Sequence, residues 1–180
     1  MKAQDDLVGE HWPLFTPVIL TLLDDMDTEF RFRGLSCAQD FFSKVEPDLL
    51  RATGLGEVFQ DAIMPTLHFL PSLTPVADSV RLLGVAYRAL AELANTQPPG
   101  EAKEKLMDKI LRQGVFAGYA HAREYHRVVG VLAREAGRFA HDLGIATVKH
   151  LKVRLRSSVW FPYFDLSRPW QRRANTEGRT

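Results

Sequence analysis

Cysteine is almost absent from this chain of 180 residues: Cys37 is the only one, so no internal disulfide can form, which suits a reducing compartment. No apolar run approaches the ~18 residues that span a bilayer. Residues 1–6 lack the apolar stretch of a secretory signal. The net charge of +1 gives no electrostatic argument for a nucleic-acid or membrane partner, and we predict neither. Cys37 lies within an apolar helical pattern, which predicts a small buried side chain and not a nucleophile.

Motifs that carry catalytic chemistry are also missing. The sequence has no glycine-rich phosphate loop, no Cys/His zinc spacing and no nucleophile elbow. The densest histidine cluster, His121, Glu124 and His126, has no recognised metal-ligand spacing, and a hydrated turn explains it. We therefore predict no metal, no cofactor and no enzymatic activity. A helical enzyme with an unrecognised site is the disfavoured alternative, because no set of acid, base and nucleophile emerges.

Three polar groups have simple structural interpretations. The acidic run Asp24, Asp25 and Asp27 lacks the alternating ligands and glycine of a calcium loop, so we expect helix capping. His141 and Asp142 are neighbours on a helix and should point to different sides, which argues against a general-base pair. Two further basic residues, Arg81 and Arg88, are expected on a solvated face.

Charge is unevenly spread along the chain. Residues 1–50 carry ten Asp/Glu against four Lys/Arg, a net of −6, and residues 151–180 carry seven Lys/Arg against two Asp/Glu, a net of +5. An acidic solvated face and a basic tail account for this asymmetry.

Apolar residues recur at helical spacing between Pro, Gly and Asp breaks, and no strand alternation is convincing. The predicted helices span residues 11–23, 29–45, 57–70, 76–94, 101–120, 124–143 and 145–155. In the first of them, the apolar side comprises Trp12, Leu14, Phe15, Val18, Ile19 and Leu22. A short helix opens at Pro47 and ends at Gly54, and Gly144 is a plausible C-cap.

The segment 17–34 has the features of one helix–turn–helix repeat. Pro17 would bend the first helix, and Arg31 is close enough across the turn to pair with the carboxylate of Asp25 or its neighbour. Gly34 removes a side chain where the helices cross. The pattern resembles a HEAT repeat.

A degenerate second copy supports this interpretation. It carries Pro65, Arg81 and Gly84, with 16 residues from proline to arginine against 14 in the first copy. A third helix pair keeps the shape without the motif. The prediction is an all-α fold, an α–α superhelix of the HEAT/armadillo-like solenoid type with about three helix pairs.

We assign residues 1–156 to this solenoid. We expect residues 157–180 to form an irregular or disordered tail that is dispensable for folding, so that a chain ending at Arg156 should melt like the full one. Two alternatives for this tail are non-native read-through sequence and a short linear motif whose aromatic residues dock elsewhere.

Four stretches carry a resemblance to a known family: residues 17–25, 33–35, 50–59 and 70–75. Over residues 12–156 the chain resembles the Tel-two-interacting protein two (Tti-two) family. The resemblance implies a HEAT-repeat subunit of the TTT complex, also linked to the ASTRA complex, with Tel-two-like and Tti-one-like partners.

The same resemblance implies a cochaperone adaptor, acting with chaperone machinery on phosphatidylinositol-3-kinase-related kinases in the cytoplasm and nucleus. TOR signalling, the DNA-damage response and telomere maintenance follow from those clients. Family members are longer, so this chain is expected to be a C-terminal portion. The alternative is a HEAT scaffold of an unrelated assembly, such as a transport receptor or phosphatase scaffold.

Trp12 and Phe15 are the predicted partner-binding residues. A solenoid cut before its first aligned repeat should leave the face of the first helix uncovered, and exposed aromatic residues mark interfaces. The alternative is that both side chains simply pack against the second helix.

Overall fold

The computed structural model describes residues 2–144 and 146–147, with side chains from residue 11 onwards. It divides into two compact units, Met1–Gly144 and Ile145–Thr180, and the first holds nearly all the described residues. Apart from residues 146 and 147, the predicted helix over 145–155 lies outside them, as does the tail over 157–180.

The first unit is built of helices, and no strand occurs in the part of the chain that is described. The α-helices are α1 (Lys2–Asp24), α2 (Thr28–Lys44), α3 (Pro47–Thr53), α4 (Leu55–Ile63), α5 (Val76–Asn95), α6 (Glu101–Lys109), α7 (Ala117–Ala122) and α8 (His126–Leu143). A 3₁₀ helix, Met64–His68, extends α4, and a π-helical stretch, Ile110–Phe116, joins α6 to α7.

These elements form three helix pairs. α1 packs on α2, α4 with its 3₁₀ extension on α5, and the continuous α6–π–α7 helix on α8. Successive pairs stack through contacts of α2 with α5, α1 with α4, and α5 with α8. The all-α, solenoid-like fold predicted from the sequence is therefore confirmed.

Aromatic side chains hold the pairs together. Phe59 of α4 packs against Phe41 and Phe42 of α2, with ring centroids 5.5 and 5.1 Å apart. Tyr87 of α5 meets Phe139 of α8 at 6.3 Å. Each contact joins neighbouring pairs, so burying large apolar surface favours the stacked arrangement.

Gly34 lies where α1 and α2 cross, as predicted. A Cβ added at Gly34 would lie 2.8 Å from Cβ of Leu22 and 2.9 Å from the backbone nitrogen of Leu23. Those distances are too short for any side chain, so glycine sets how closely the first two helices approach.

The acidic run between α1 and α2 caps a helix, also as predicted. Asp27 is the N-cap of α2, and its Oδ1 accepts hydrogen bonds from the backbone N–H groups of Glu29 and Phe30 at 2.7 and 3.4 Å. Oδ1 of Asp25 accepts from the N–H of Asp27 at 2.8 Å. Both carboxylates therefore shape the turn.

Three details differ from the sequence prediction. The helix expected over 57–70 changes to 3₁₀ geometry at Met64, because Pro65 lacks the N–H that an α-helical bond would need. The first helix begins nine residues earlier than predicted, at Lys2 instead of residue 11. Cys37 is exposed and not buried, since it lies on the outer side of α2. Among the described helices, none is long and apolar enough to cross a membrane.

Candidate functional site

Helix α1 has an apolar stripe that the other described helices leave exposed. It buries Thr16, Ile19 and Leu23 against its neighbours. On the other side, Leu14, Phe15 and Val18 are 70%, 44% and 61% exposed. A contiguous set of large exposed apolar side chains is typical of an interaction surface.

Helix α2 has an exposed stripe of its own. Phe30 is 48% exposed, and Cys37, seven residues further along the same side of the helix, is exposed as well. Phe32, which lies under the guanidinium of Arg81, marks the side of α2 that faces α5. The exposed stripe of α2 therefore faces away from α5. We call Leu14, Phe15, Val18, Phe30 and Cys37 the end face.

The two predicted partner-binding residues differ in their surroundings. Phe15 belongs to the end face, whereas Trp12 is half-buried. Leu14 and Val18, which share the predicted apolar side of this helix with Phe15, also lie on its exposed stripe. The sequence held the signal, because α1 carries apolar residues around more than half its circumference and can bury only one stripe.

Arg31 links the first turn to the second helix pair. It is buried, and its Nε donates a hydrogen bond to the backbone carbonyl of Asp25 at 2.9 Å. Nη1 donates to Oγ1 of Thr66 at 3.2 Å, and the guanidinium lies 4.6 Å from the ring centroid of Phe69. Arg31 and Asp25 thus meet across the turn, but through the carbonyl instead of the predicted carboxylate.

The charge on Arg31 is stabilised from the turn. Burial lowers the pKa of the Arg31 guanidinium, and the nearby charges of Asp24 and Asp25 raise it. The acidic run therefore also supplies the counter-charge of a buried cation.

Arg81 makes a second contact between helix pairs. Nη1 donates to Oε2 of Glu29 at 2.6 Å, and its guanidinium lies 3.7 Å from the centroid of the Phe32 ring. Hydrogen bonds from Arg81 and Arg33 hold the pKa of Glu29 below its usual range. Arg81 is exposed, as predicted for a solvated face, and it also bridges the first two helix pairs.

A buried polar cluster lies between α5 and α8. Nη2 of Arg138 is 2.6 Å from Oε2 of Glu135 and donates to the backbone carbonyl of Tyr87 at 2.9 Å. Burial raises the pKa of Glu135, against the opposing charges of Arg138, Arg134 and Arg88. Burial and the charge of Glu135 likewise raise the pKa of Tyr87. The cluster joins two helices inside the fold.

The other candidate polar groups lie at the surface. His121, Glu124 and His126 are exposed at the turn between α7 and α8. Nδ1 of His141 lies 3.3 Å from Oδ1 of Asp142, so these neighbours do meet, contrary to expectation, but both are exposed. No group of three or more His, Cys, Asp or Glu side chains able to hold a metal was found within the portion of the chain described.

Comparison with known proteins identifies a family. The sequence model of the Tti2 family matches residues 1–156. No curated protein and no solved structure matches the chain. The matched segment covers every helix of the described unit, including both helices of the end face.

Proposed function

Because this chain belongs to the Tti2 family, we propose that it is a non-enzymatic adaptor subunit of a TTT-like complex, working with chaperone machinery in the cytoplasm and nucleus. Its clients are phosphatidylinositol-3-kinase-related kinases, and its direct partners are Tel-two-like and Tti-one-like proteins. Family membership supports a protein-binding subunit in general, and the end face supplies a surface for that binding.

The end face is the observation that carries the proposal. Leu14, Phe15, Val18 and Phe30 each expose 44% or more of their surface. In a stack of helix pairs, the apolar surface of one pair is normally covered by the next pair. The side of α2 that faces α5 is covered in this way here. The end face is the corresponding surface with no such cover from the described pairs. A helical protein partner that stacks on it would bury several large apolar side chains at once.

Partner capture by matched variants tests this proposal. The full chain is used as bait and the captured proteins are identified by mass spectrometry. Phe15→Asp should lower recovery of a Tti-one-like protein by about tenfold or more, as expected for a central apolar contact of ~2 kcal/mol. Trp12→Ala should also lower capture, by a smaller factor, because that side chain is half-buried.

Val58→Asp is the control, because Val58 is 47% exposed on α4, outside the end face. Its capture should equal that of the unmodified chain, and all variants are compared by melting temperature. If Phe15→Asp lowers the melting temperature and any loss of partner capture is no larger than this destabilisation explains, Phe15 is a core residue. If Tel-two-like and Tti-one-like proteins are absent from the captured set, the chain serves an unrelated assembly.

A further inference from the structure

The outer side of α8 carries arginines that have no ion-pair partner among the described helices. Five of the described arginines pair with a carboxylate: Arg33, Arg51, Arg81, Arg112 and Arg138. Four exposed arginines form no such pair with any described residue: Arg88, Arg123, Arg127 and Arg134. Arg127 and Arg134 lie on α8, Arg123 lies in the turn before it, and Arg88 lies on α5, which packs against α8. Unpaired positive charge is therefore concentrated around α8.

Two of these arginines belong to a regular stripe on α8. Arg127, Gly130, Arg134, Gly137 and His141 follow one another at steps of three, four, three and four residues. Gly137 is half-buried and the other four are exposed. This heptad spacing keeps the five positions on one side of the helix, where a second helix could pack along all of them. We call them the α8 stripe.

The α8 stripe contains no acidic residue. The two carboxylates of α8, Glu135 and Asp142, each follow a stripe position by one residue, so they lie on another side of the helix. Glu135 is buried and pairs with Arg138. The positive charges of Arg127 and Arg134 are therefore available to a partner of opposite charge.

Gly130 has no evident role inside the described fold. Nothing lies within 4 Å of a Cβ built on Gly130, and its φ is not positive. The described helices therefore do not require glycine here, and glycine destabilises a helix relative to alanine. What its missing side chain does provide is access to the helix backbone between Arg127 and Arg134. Close approach by a group from outside would make use of that access.

We propose that the α8 stripe docks an acidic α-helix of a protein partner, with carboxylates that recur every seven residues. Arg127 and Arg134 are about 10.5 Å apart along the helix axis. Carboxylates seven residues apart on the docked helix have the same rise, so both ion pairs can form together. Gly130, between them, lets the two helix backbones approach closely. The inference rests on the proposed function in taking the partner to be a protein, but it concerns a helix outside the end face.

A protein helix fits the α8 stripe better than a nucleic acid does. Nucleic-acid binding relies on many cations that neutralise phosphates, whereas the stripe offers two arginines and the chain has a net charge of only +1. Arginine side chains would also reach a phosphate backbone without the gap at Gly130. The gap and the seven-residue spacing both match the packing of one helix on another.

A designed peptide tests the stripe without the full partner. The probe is an acetylated, amidated, fluorescently labelled alanine–glutamine helix of about 20 residues, long enough to be helical, with glutamates seven residues apart. The control peptide has the same composition with glutamates five residues apart, which places them on different sides of the helix. Fluorescence anisotropy with the full chain measures binding. The heptad peptide should saturate and bind about fivefold or more tightly than the control, the combined effect of two exposed ion pairs.

Variants of the chain separate charge from shape. Arg127→Gln and Arg134→Gln should each weaken binding of the heptad peptide about two- to fivefold. Arg33→Gln removes the same charge from α2, where Arg33 is 64% exposed, and should leave binding unchanged. Gly130→Gln should weaken binding about threefold or more, because its side chain blocks close approach. Its melting temperature should not fall, since glutamine favours a helix more than glycine does.

Several results would overturn the inference. Equal binding of the two peptides, or an effect of Arg33→Gln as large as that of Arg134→Gln, would indicate diffuse attraction to positive charge. Unchanged binding by Gly130→Gln would exclude close packing of a helix. A labelled DNA duplex that binds more tightly than the heptad peptide, and loses that affinity in Arg134→Gln, would assign the stripe to nucleic acid. None of these results would alter the end-face experiment, because that test uses Phe15 and partner capture.

Discussion

Arg31 shows how one residue can serve two helix pairs. Its backbone and aliphatic stem belong to α2. Its guanidinium donates hydrogen bonds to the carbonyl of Asp25 in the preceding turn and to Thr66 of the second pair. A buried cation costs solvation energy unless hydrogen bonds and charges compensate it. Here the carbonyl of Asp25, the hydroxyl of Thr66 and the ring of Phe69 provide that compensation.

Replacing Arg31 should therefore destabilise the fold. Arg31→Met keeps much of the apolar stem but leaves the buried hydroxyl of Thr66 and the part-buried carbonyl of Asp25 without their donor. We expect a loss of about 1–3 kcal/mol in the free energy of unfolding. Arg33→Met is the matched control. Its side chain is 64% exposed and pairs with Glu29, so it should cost under about 1 kcal/mol. Urea denaturation of both variants measures the difference, and equal losses would contradict the bridging role.

Glu135 gives a prediction about pH. Burial raises its pKa above the ordinary value of 4.5, so the folded state holds its proton more tightly than the unfolded state does. Stability contributed by the protonated form is therefore lost as pH rises through and above that value. Glu135→Gln cannot lose a proton, so its melting temperature minus that of the unmodified chain should increase with pH.

Melting temperatures between about pH 4 and pH 7 check this difference. Glu124→Gln, at the exposed turn between α7 and α8, is the control for removing a carboxylate. A difference for Glu135→Gln that stays flat or falls with rising pH would mean that the ion pair with Arg138 outweighs burial.

At the level of elements, some glycines allow two helices to cross closely, whereas others lie on a helix surface with no neighbour nearby. Gly34 and Gly130 both lie within helices, yet only Gly34 faces a neighbouring helix, since nothing lies within 4 Å of a Cβ built on Gly130. Substitutions at these two glycines can therefore distinguish the effect of helix packing on stability from the effect of helix propensity.

Alanine substitution should act in opposite directions at these two glycines. Gly34→Ala must push α1 and α2 apart, because its Cβ would meet the backbone of Leu23 at 2.9 Å. We expect a loss of about 1–3 kcal/mol. Gly130→Ala should gain about 0.5–1 kcal/mol through helix propensity alone. Thermal unfolding monitored by circular dichroism provides the comparison, and a stable Gly34→Ala variant would show that the crossing can adjust.

Most helices were predictable because their apolar residues recur at helical spacing between proline, glycine and aspartate breaks. The spans 76–94 and 29–45 agree within one residue at each end with α5 and α2. The change to 3₁₀ geometry at Pro65 could not be predicted, because a proline can either bend a helix or change its type, depending on the surrounding packing.

The candidate site was only partly predictable for a related reason. Phe15 was chosen from the sequence as a partner-binding residue, whereas Leu14 and Val18, on the same predicted apolar side, were not. Helix α1 offers two apolar stripes, and which one is buried depends on where α2 and α4 lie. That information is tertiary and does not appear in the periodicity of a single helix.

Over the whole described unit, burial rises from α1 toward the middle of the stack. Helix α5 packs against α2, α4, α6 and α8, whereas α1 packs against α2 and α4. Local opening should follow this gradient, since opening free energy depends on how many packed neighbours a helix must leave.

Hydrogen exchange should therefore be slowest in α5 and faster in α1. Mass spectrometry of the isolated protein, peptide by peptide, measures the order. Addition of a protein partner that covers the end face should slow exchange in α1 and leave α5 nearly unchanged. If α1 is already as protected as α5 without a partner, something else covers the end face in solution.

Arg31 also limits how this protein could be divided or recombined. A shortened chain that starts at α4 would keep Thr66 and Phe69 but lose the guanidinium that contacts them. A chimaera that takes its first helix pair from a relative would need compatible residues at positions 66 and 69. The first helix pair therefore cannot be exchanged on its own, because Arg31 depends on residues of the second pair. Recombination should keep residues 25–69 together, from a single parent sequence.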